Sequence, residues 1–188
     1  MASSEKFFIE EEAHSKTYVA LDRIAWHLLD RAEHESEGRL LNLQAAAVFT
    51  AFTFEAYLNH VGQEEIAFWE EIDRISYHKK LAVITKQLGM KLDMSAQPGQ
   101  TISELFKLRN NLAHGRTKTE KRQRSSPEPP PHESIWRFFE HEKLTSQLVQ
   151  HYRGEMRRAV EVINDTRTTP DPFLWNEGSR MTCVGGPR

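Results

Sequence analysis

The chain has 188 residues, of which 38% are hydrophobic and 28% charged, with 25 Lys or Arg, 27 Asp or Glu and one cysteine. This length suits one domain with a single core, and one cysteine excludes an internal disulfide framework and a cysteine-rich zinc site. No apolar run is long enough to predict a transmembrane helix, and the N-terminus carries no signal-peptide pattern. We therefore expect a cytoplasmic protein that makes no membrane contact.

Helical periodicity dominates the first half of the sequence, and strand signals are nearly absent. Apolar residues recur every three or four positions over 15–35, which predicts an amphipathic first helix. The second helix, over 40–61, is apolar on most of its circumference and is therefore predicted at the centre of a bundle. We expect a short helix over 64–75 and a longer one over 77–88, which Gly89 ends.

The second half continues the helical pattern around one irregular stretch. Thr101 and Glu104 match a capping box, which predicts the start of a fifth helix, and this helix is expected to end at His114. The stretch 116–133 is basic and then proline-rich, which predicts a mobile loop or spacer. A last long helix is predicted over 141–165. The fold class is thus all-α, an up-and-down bundle of five or six helices.

The same reading divides the chain into one domain and two flanking segments. Residues 1–14 are expected to form an N-terminal extension, and residues 15–165 a single helical domain that contains the insertion at 116–133. Residues 166–188 are expected to form a loosely ordered C-terminal tail.

The net charge of −2 conceals a local excess of positive charge. Residues 107–124 hold seven Lys or Arg and one acid, whereas the rest of the chain is acidic. A concentrated basic patch is what an otherwise acidic protein needs to bind nucleic acid, although charge alone also fits a solvated loop. The residues predicted to track a single-stranded RNA backbone are Arg116, Lys118, Lys121, Arg122 and Arg124.

Few patterns of enzyme chemistry are present. The sequence has no Gly-rich phosphate loop in a strand–helix context and no His-Glu-x-x-His pair, so we expect neither a metal nor a cofactor. The cluster that stands out runs from Arg109 to His114, at the end of the predicted fifth helix. Arg109 follows an apolar stripe and therefore needs an acidic or amide partner, for which Glu55 and Asn59 are the candidates on the second helix.

The chemistry that fits this cluster is metal-free RNA cleavage. The imidazole of His114 would exchange a proton near neutral pH, and the guanidinium of Arg109 would stabilise the charge on the phosphate. Asn110 would orient either of these groups or contact the phosphate. A histidine in the last turn of a helix, before Gly115, is also explained by the helix dipole and by capping alone.

The motif Arg109-Asn110-x-x-x-His114 resembles the Arg-x(4–6)-His signature of HEPN domains. The segment Phe54-Glu55-Ala56-Tyr57-Leu58-Asn59 is similar to the second-helix pattern of many HEPN proteins, and the resemblance covers residues 15–165. It implies a metal-independent endoribonuclease that dimerises, so that two motifs face each other across a shared cleft. It also implies that the histidine transfers the proton, that the arginine binds the phosphate, and that Asn110 and Glu55 support them.

The resemblance implies partners as well as an activity. HEPN proteins often act as toxins, abortive-infection effectors or RNA-processing enzymes, and some are encoded beside a nucleotidyltransferase-like antitoxin. An antitoxin or a defence-system protein is therefore an expected partner, although Arg116 stands where toxins neutralised in this way usually carry a tyrosine. The alternatives are a non-catalytic HEPN-like module that binds nucleotide, RNA or a partner protein, and an unrelated helical interaction protein.

Overall fold

The computed structural model describes residues 9–115, 144–176 and 178–183, with side chains for 15–115 and 144–176. These residues form an all-α bundle of six helices, as the sequence predicted. The helices are α1 (Thr17–His34), α2 (Arg39–Glu65), α3 (Trp69–Ile72), α4 (Tyr77–Gln87), α5 (Gly99–Ala113) and α6 (Ser146–Thr166). Across the described ranges, none of the helices combines the length and the apolar character that a membrane span requires.

Helix α2 is the centre of the bundle and packs against each of the other five helices. Its small residues Ala46, Ala47 and Ala51 are fully buried, which lets neighbouring helices approach closely. Two buried threonines add polar groups to this helix, and both are satisfied locally. The hydroxyl of Thr50 donates to the carbonyl of Ala46 at 2.8 Å, and the hydroxyl of Thr53 donates to the carbonyl of Phe49 at 2.9 Å.

The end of α2 is fixed by a close contact between Gly62 and Trp69. The indole of Trp69, on α3, is 2% exposed, and a Cβ built on Gly62 would lie 2.2 Å from its ring. A short helix is predicted over 64–75. The first two of these residues belong to α2, which continues to Glu65, and the separate helix is α3 alone.

The end of α4 confirms the stop predicted at Gly89. This glycine has a φ of 65°, in the left-handed region that favours glycine. The amide of Met90 donates to the carbonyl of Thr85 at 2.9 Å, and the amide of Gly89 donates to that of Lys86 at 3.2 Å. These two bonds satisfy carbonyls that the helix end would otherwise leave unpaired.

The capping box predicted at the start of α5 is wrong. The helix begins before Thr101, with Pro98 as the N-cap residue and no side-chain cap. The hydroxyl of Thr101 donates to Oε1 of Gln97 at 2.7 Å and lies 3.1 Å from Nε2 of His151 on α6. Thr101 therefore lies inside α5 and not at its N-cap position, and its hydroxyl bonds to Gln97 while it lies beside α6.

Helix α6 begins later than predicted, and a side chain caps it. Oγ1 of Thr145 accepts a hydrogen bond from the amide of Leu148 at 3.1 Å, which satisfies one of the free amides of the first turn. The predicted insertion at 116–133 lies outside the described residues, as do residues 141–143 of the predicted last helix.

A short antiparallel ribbon pairs a segment before α1 with a segment after α6. Strand β1 (Ile9–His14) pairs with β2 (Gly178–Cys183), so that Ile9 lies opposite Cys183. Neither segment alternates apolar and polar residues regularly, which is why strand patterning did not indicate the ribbon.

We expect Gly62→Ala to destabilise the protein by about 1–3 kcal/mol, because the new methyl group would overlap the buried ring of Trp69. Gly154→Ala is the matched control within a helix, since a Cβ there meets nothing within 4 Å. It should stabilise the protein by about 0.5–1 kcal/mol through helix propensity alone. Urea denaturation measures both changes, and equal effects of the two substitutions would contradict the contact.

Candidate functional site

Aromatic packing sets the position of α5 against its neighbours. The ring of Phe106 stacks on Tyr77 of α4, with centroids 3.5 Å apart, and meets Phe54 of α2 edge-on at 6.2 Å. Arg109 follows three residues later and therefore lies on the same side of α5 as Phe106. The hydrophobic core thus places this guanidinium beside α2.

Arg109 has three partners in the described residues. Its Nη2 lies 3.6 Å from Oε2 of Glu55, and its Nη1 donates to Oδ1 of Asn110 at 2.9 Å. Its Cζ lies 5.3 Å from the centroid of the Phe52 ring, a cation–π distance. The side chain of Arg109 remains 27% exposed. Glu55 is thus the acidic partner that the sequence indicated, and the guanidinium is oriented without being enclosed.

Lys80 is a further partner of Glu55, and no motif in the sequence indicated this contact. Its Nζ donates to Oδ1 of Asn59 at 2.8 Å and to Oε1 of Glu55 at 3.3 Å, and its side chain is only 4% exposed. Asn59 therefore pairs with Lys80 and not with Arg109. The available signal was helical spacing, because Lys80 lies three residues after Tyr77 and four before Ile84, both of which are buried.

We call Glu55, Asn59, Lys80 and Arg109 the polar cluster. It carries two cations and one carboxylate, so its formal charge is +1. The guanidinium of Arg109 is partly exposed, and the ammonium of Lys80 adds a buried positive charge behind Glu55. Such an arrangement suits an anion such as a phosphate.

His114 stands at the C-terminal end of α5, where its amide donates to the carbonyl of Asn110 at 2.9 Å. Its side chain is exposed and makes no hydrogen bond, ion pair or ring contact with the residues that the structure describes. Arg109 lies five residues earlier, about 7.5 Å along the axis of an ideal helix. The fold brings the two residues to the same end of α5, but their side chains do not meet.

The residues predicted to bind the RNA backbone lie outside the described ranges. They are Arg116, Lys118, Lys121, Arg122 and Arg124.

Among the side chains that are described, no group of three or more His, Cys, Asp or Glu is arranged to hold a metal ion.

A second ionic group joins α2 to the segment after α6. The guanidinium of Arg167, 5% exposed, donates from Nε to Glu65 at 3.0 Å and from Nη2 to Glu64. Nε2 of His60 lies 3.5 Å from the same Glu64, and burial lowers the pKa of this histidine. Lys16 pairs with Asp171 beside it. No motif predicted this group, because Arg167 is more than 100 residues from its two carboxylate partners in sequence.

A third ionic group joins α1 to α6. Asp22 accepts from Nε and Nη2 of Arg153 at 2.8 and 2.7 Å and from Arg157 at 2.5 Å. The guanidinium of Arg157 also lies 3.8 Å from the centroid of the Trp175 ring. These arginines are held tightly, whereas Arg109 makes only one long contact with its carboxylate.

Comparison of this chain with protein-family models, with curated proteins and with solved structures finds no match. The case for its function therefore depends on the residues and contacts described above.

We expect Arg109→Met to change the free energy of unfolding by less than about 1 kcal/mol, because its contact with Glu55 is long and partly solvated. Arg167→Met makes the same change at a buried position and should cost about 2–4 kcal/mol, since it leaves acidic groups without their partner. Urea denaturation of both variants measures the difference. A larger loss for Arg109→Met than for Arg167→Met would make Arg109 a mainly structural residue.

Proposed function

We propose that the chain is a metal-independent endoribonuclease of the HEPN type, in which Arg109 binds the scissile phosphate and His114 transfers the proton. The observation that carries this proposal is the combination of an oriented but accessible guanidinium with an exposed imidazole at the end of the same helix. The formal charge of +1 on the polar cluster favours a phosphate there.

The reaction that fits these groups is an internal transfer at phosphorus. A neutral imidazole accepts the proton of the ribose 2′-hydroxyl, and the 2′-oxygen bonds to phosphorus as the bond to the 5′-oxygen breaks. An imidazolium returns a proton to the departing 5′-oxygen, so the products are a 2′,3′-cyclic phosphate and a 5′-hydroxyl. Arg109 would stabilise the additional negative charge of the transition state.

The supporting residues act on the guanidinium. Asn110 accepts from Nη1 of Arg109, which restricts the rotation of the side chain. Glu55 supplies the opposing charge that allows a half-buried arginine. Asn59 acts one step further away, through Lys80.

We further propose that the active form is a homodimer. In a single chain Arg109 and His114 are out of contact and the motif holds one imidazole, that of His114, whereas the reaction needs one proton acceptor and one proton donor. Two copies arranged about a two-fold axis would supply both across a shared cleft. The basic residues after His114 would bind the RNA backbone, and an antitoxin or a defence-system protein would restrain a cytoplasmic toxin or abortive-infection effector of this kind.

One observation favours the non-catalytic alternative, a HEPN-like module that binds nucleotide, RNA or a partner protein. Catalytic bases are commonly oriented by a third group, and the side chain of His114 has no such partner among the described residues. In that case Arg109 would be a ligand-binding residue, and His114 would be dispensable.

We expect purified protein to cleave RNA in excess EDTA and His114→Ala to lose at least about 100-fold of this activity, because the proton-transfer group is gone. The expected products carry 2′,3′-cyclic phosphate ends. His34→Ala is the matched control, since His34 is also an exposed histidine at the end of a helix. If neither the parent nor His114→Ala cleaves while both are folded dimers, the binding module is the better assignment. Equal cleavage by both proteins would exclude His114 as the proton-transfer residue.

Sedimentation velocity tests the dimer separately. We expect the sedimentation coefficient to rise with concentration toward that of a two-chain species, because the proposed cleft needs two copies. A monomer at every concentration would eliminate the composite site while leaving the polar cluster of the single chain intact.

A further inference from the structure

We propose that Lys80 is a positioning residue that keeps Arg109 available to an anion by occupying one oxygen of Glu55. The inference rests on the proposed function, in which Arg109 binds a phosphate of RNA. It assigns a task to a buried lysine that the proposed reaction does not use.

The burial of Lys80 needs an explanation beyond stability. An ammonium group is costly to remove from water, and well-packed apolar residues in place of buried ion pairs are often neutral or stabilising. The position lies between Tyr77 and Ile84 on the buried side of α4, where an apolar side chain would suit the core. The chain instead places a cation here, directed at Glu55 and Asn59.

The geometry of Glu55 shows what this cation changes. Arginine and carboxylate groups favour two parallel hydrogen bonds of about 2.7–2.9 Å, and Arg153 makes such a pair with Asp22. At Glu55 the two oxygens are divided, with Oε1 at 3.3 Å from Lys80 and Oε2 at 3.6 Å from Arg109. Asp22 keeps its two-bond pair although Arg157, on the same helix as Arg153, also donates to Oδ2. Lys80 and Arg109 instead lie on different helices and approach different oxygens of Glu55, so the carboxylate does not form the two-bond pair that would neutralise Arg109.

The charges lead to the same conclusion. Glu55 alone with Arg109 would form a neutral pair with little attraction for a phosphate. Lys80 adds a charge at a site that water and mobile ions reach poorly, where screening is weak. The polar cluster thereby retains its charge of +1, and the part of it that is open to solvent is the guanidinium of Arg109.

The test measures binding, so that cleavage is not needed as a readout. The probe is a fluorescein-labelled single-stranded RNA with every ribose 2′-O-methylated, which blocks attack by the 2′-oxygen. We expect Lys80→Met to weaken binding about tenfold, the value of one charge-assisted hydrogen bond. The double variant Lys80→Met/Glu55→Gln should recover to within about twofold of the parent, because the competing carboxylate is removed together with the lysine.

Two controls separate this mechanism from a general change of charge. Lys79→Met removes the same charge from the exposed neighbouring position and should weaken binding by no more than about twofold. Lys80→Met/Glu71→Gln restores the net charge through an exposed carboxylate on α3 and should bind as weakly as Lys80→Met. Equal recovery with Glu71→Gln and with Glu55→Gln would overturn the proposal.

If Lys80→Met does not fold, RNA binding by the single variant Glu55→Gln tests the same competition for Arg109. The proposal requires this variant to bind RNA at least as tightly as the parent, since Glu55 competes for Arg109. A loss of binding in a folded Glu55→Gln protein would mean that the support Glu55 gives to Arg109 outweighs its competition with the anion, and would overturn the role assigned to Lys80.

A crystal structure of Lys80→Met, or of Lys80→Gln if the former does not fold, tests the inference without RNA. We expect the shortest distance between Glu55 and the guanidinium of Arg109 to contract from 3.6 Å to about 2.8 Å, with both oxygens engaged. An unchanged contact would overturn the inference. Failure of the parent to bind RNA, with this contraction present, would instead overturn the proposed function and leave the role of Lys80 intact.

Discussion

The burial of α2 is the constraint on which the rest of the structure depends. This helix is apolar on most of its circumference, so no single neighbour can cover it, and all five other helices pack against it. Its aromatic residues then determine where those neighbours lie, as the contact between Phe54 and Phe106 does for α5. The position of Arg109 is a consequence of this packing, because the residue follows Phe106 by less than one turn.

The same constraint explains why the charged groups of the bundle lie where helices meet. A carboxylate on a largely buried helix must be paired or hydrogen-bonded, and Glu55 satisfies this requirement with cations from two different helices. Asp22 is more deeply buried, with 6% of its side chain exposed against 26% for Glu55, and is held by two arginines of α6 alone. The first arrangement leaves a guanidinium loosely held and accessible, whereas the second fastens one helix to another. Similar residue types therefore form a loosely held ionic group around Glu55 and a tightly held one around Asp22.

The sequence predicted those features that depend on neighbouring residues. Helical spacing located the helices and the central position of α2, and Gly89 ended α4 because a left-handed residue is needed there. The pairing of Glu55 with Arg109 was also accessible, because a cation on an apolar stripe requires an acid. The capping box at Thr101 is wrong because α5 already begins at Gly99, which the local pattern does not reveal. Lys80 carries a charge, which ordinarily marks an exposed position, and only its helical spacing indicates that it lies among buried residues. Contacts such as that between Arg167 and Glu65 connect distant segments, and no local pattern encodes them.

The ribbon of β1 and β2 has a consequence for the order in which the molecule assembles. Most of the helix contacts join segments that follow one another closely, so they can form while the chain is still being synthesised. Ile9 must wait for Cys183, because closing so long a loop requires nearly the whole chain. Among the described residues, the ribbon is thus the last main-chain pairing to become possible, because β2 follows every helix of the bundle in sequence.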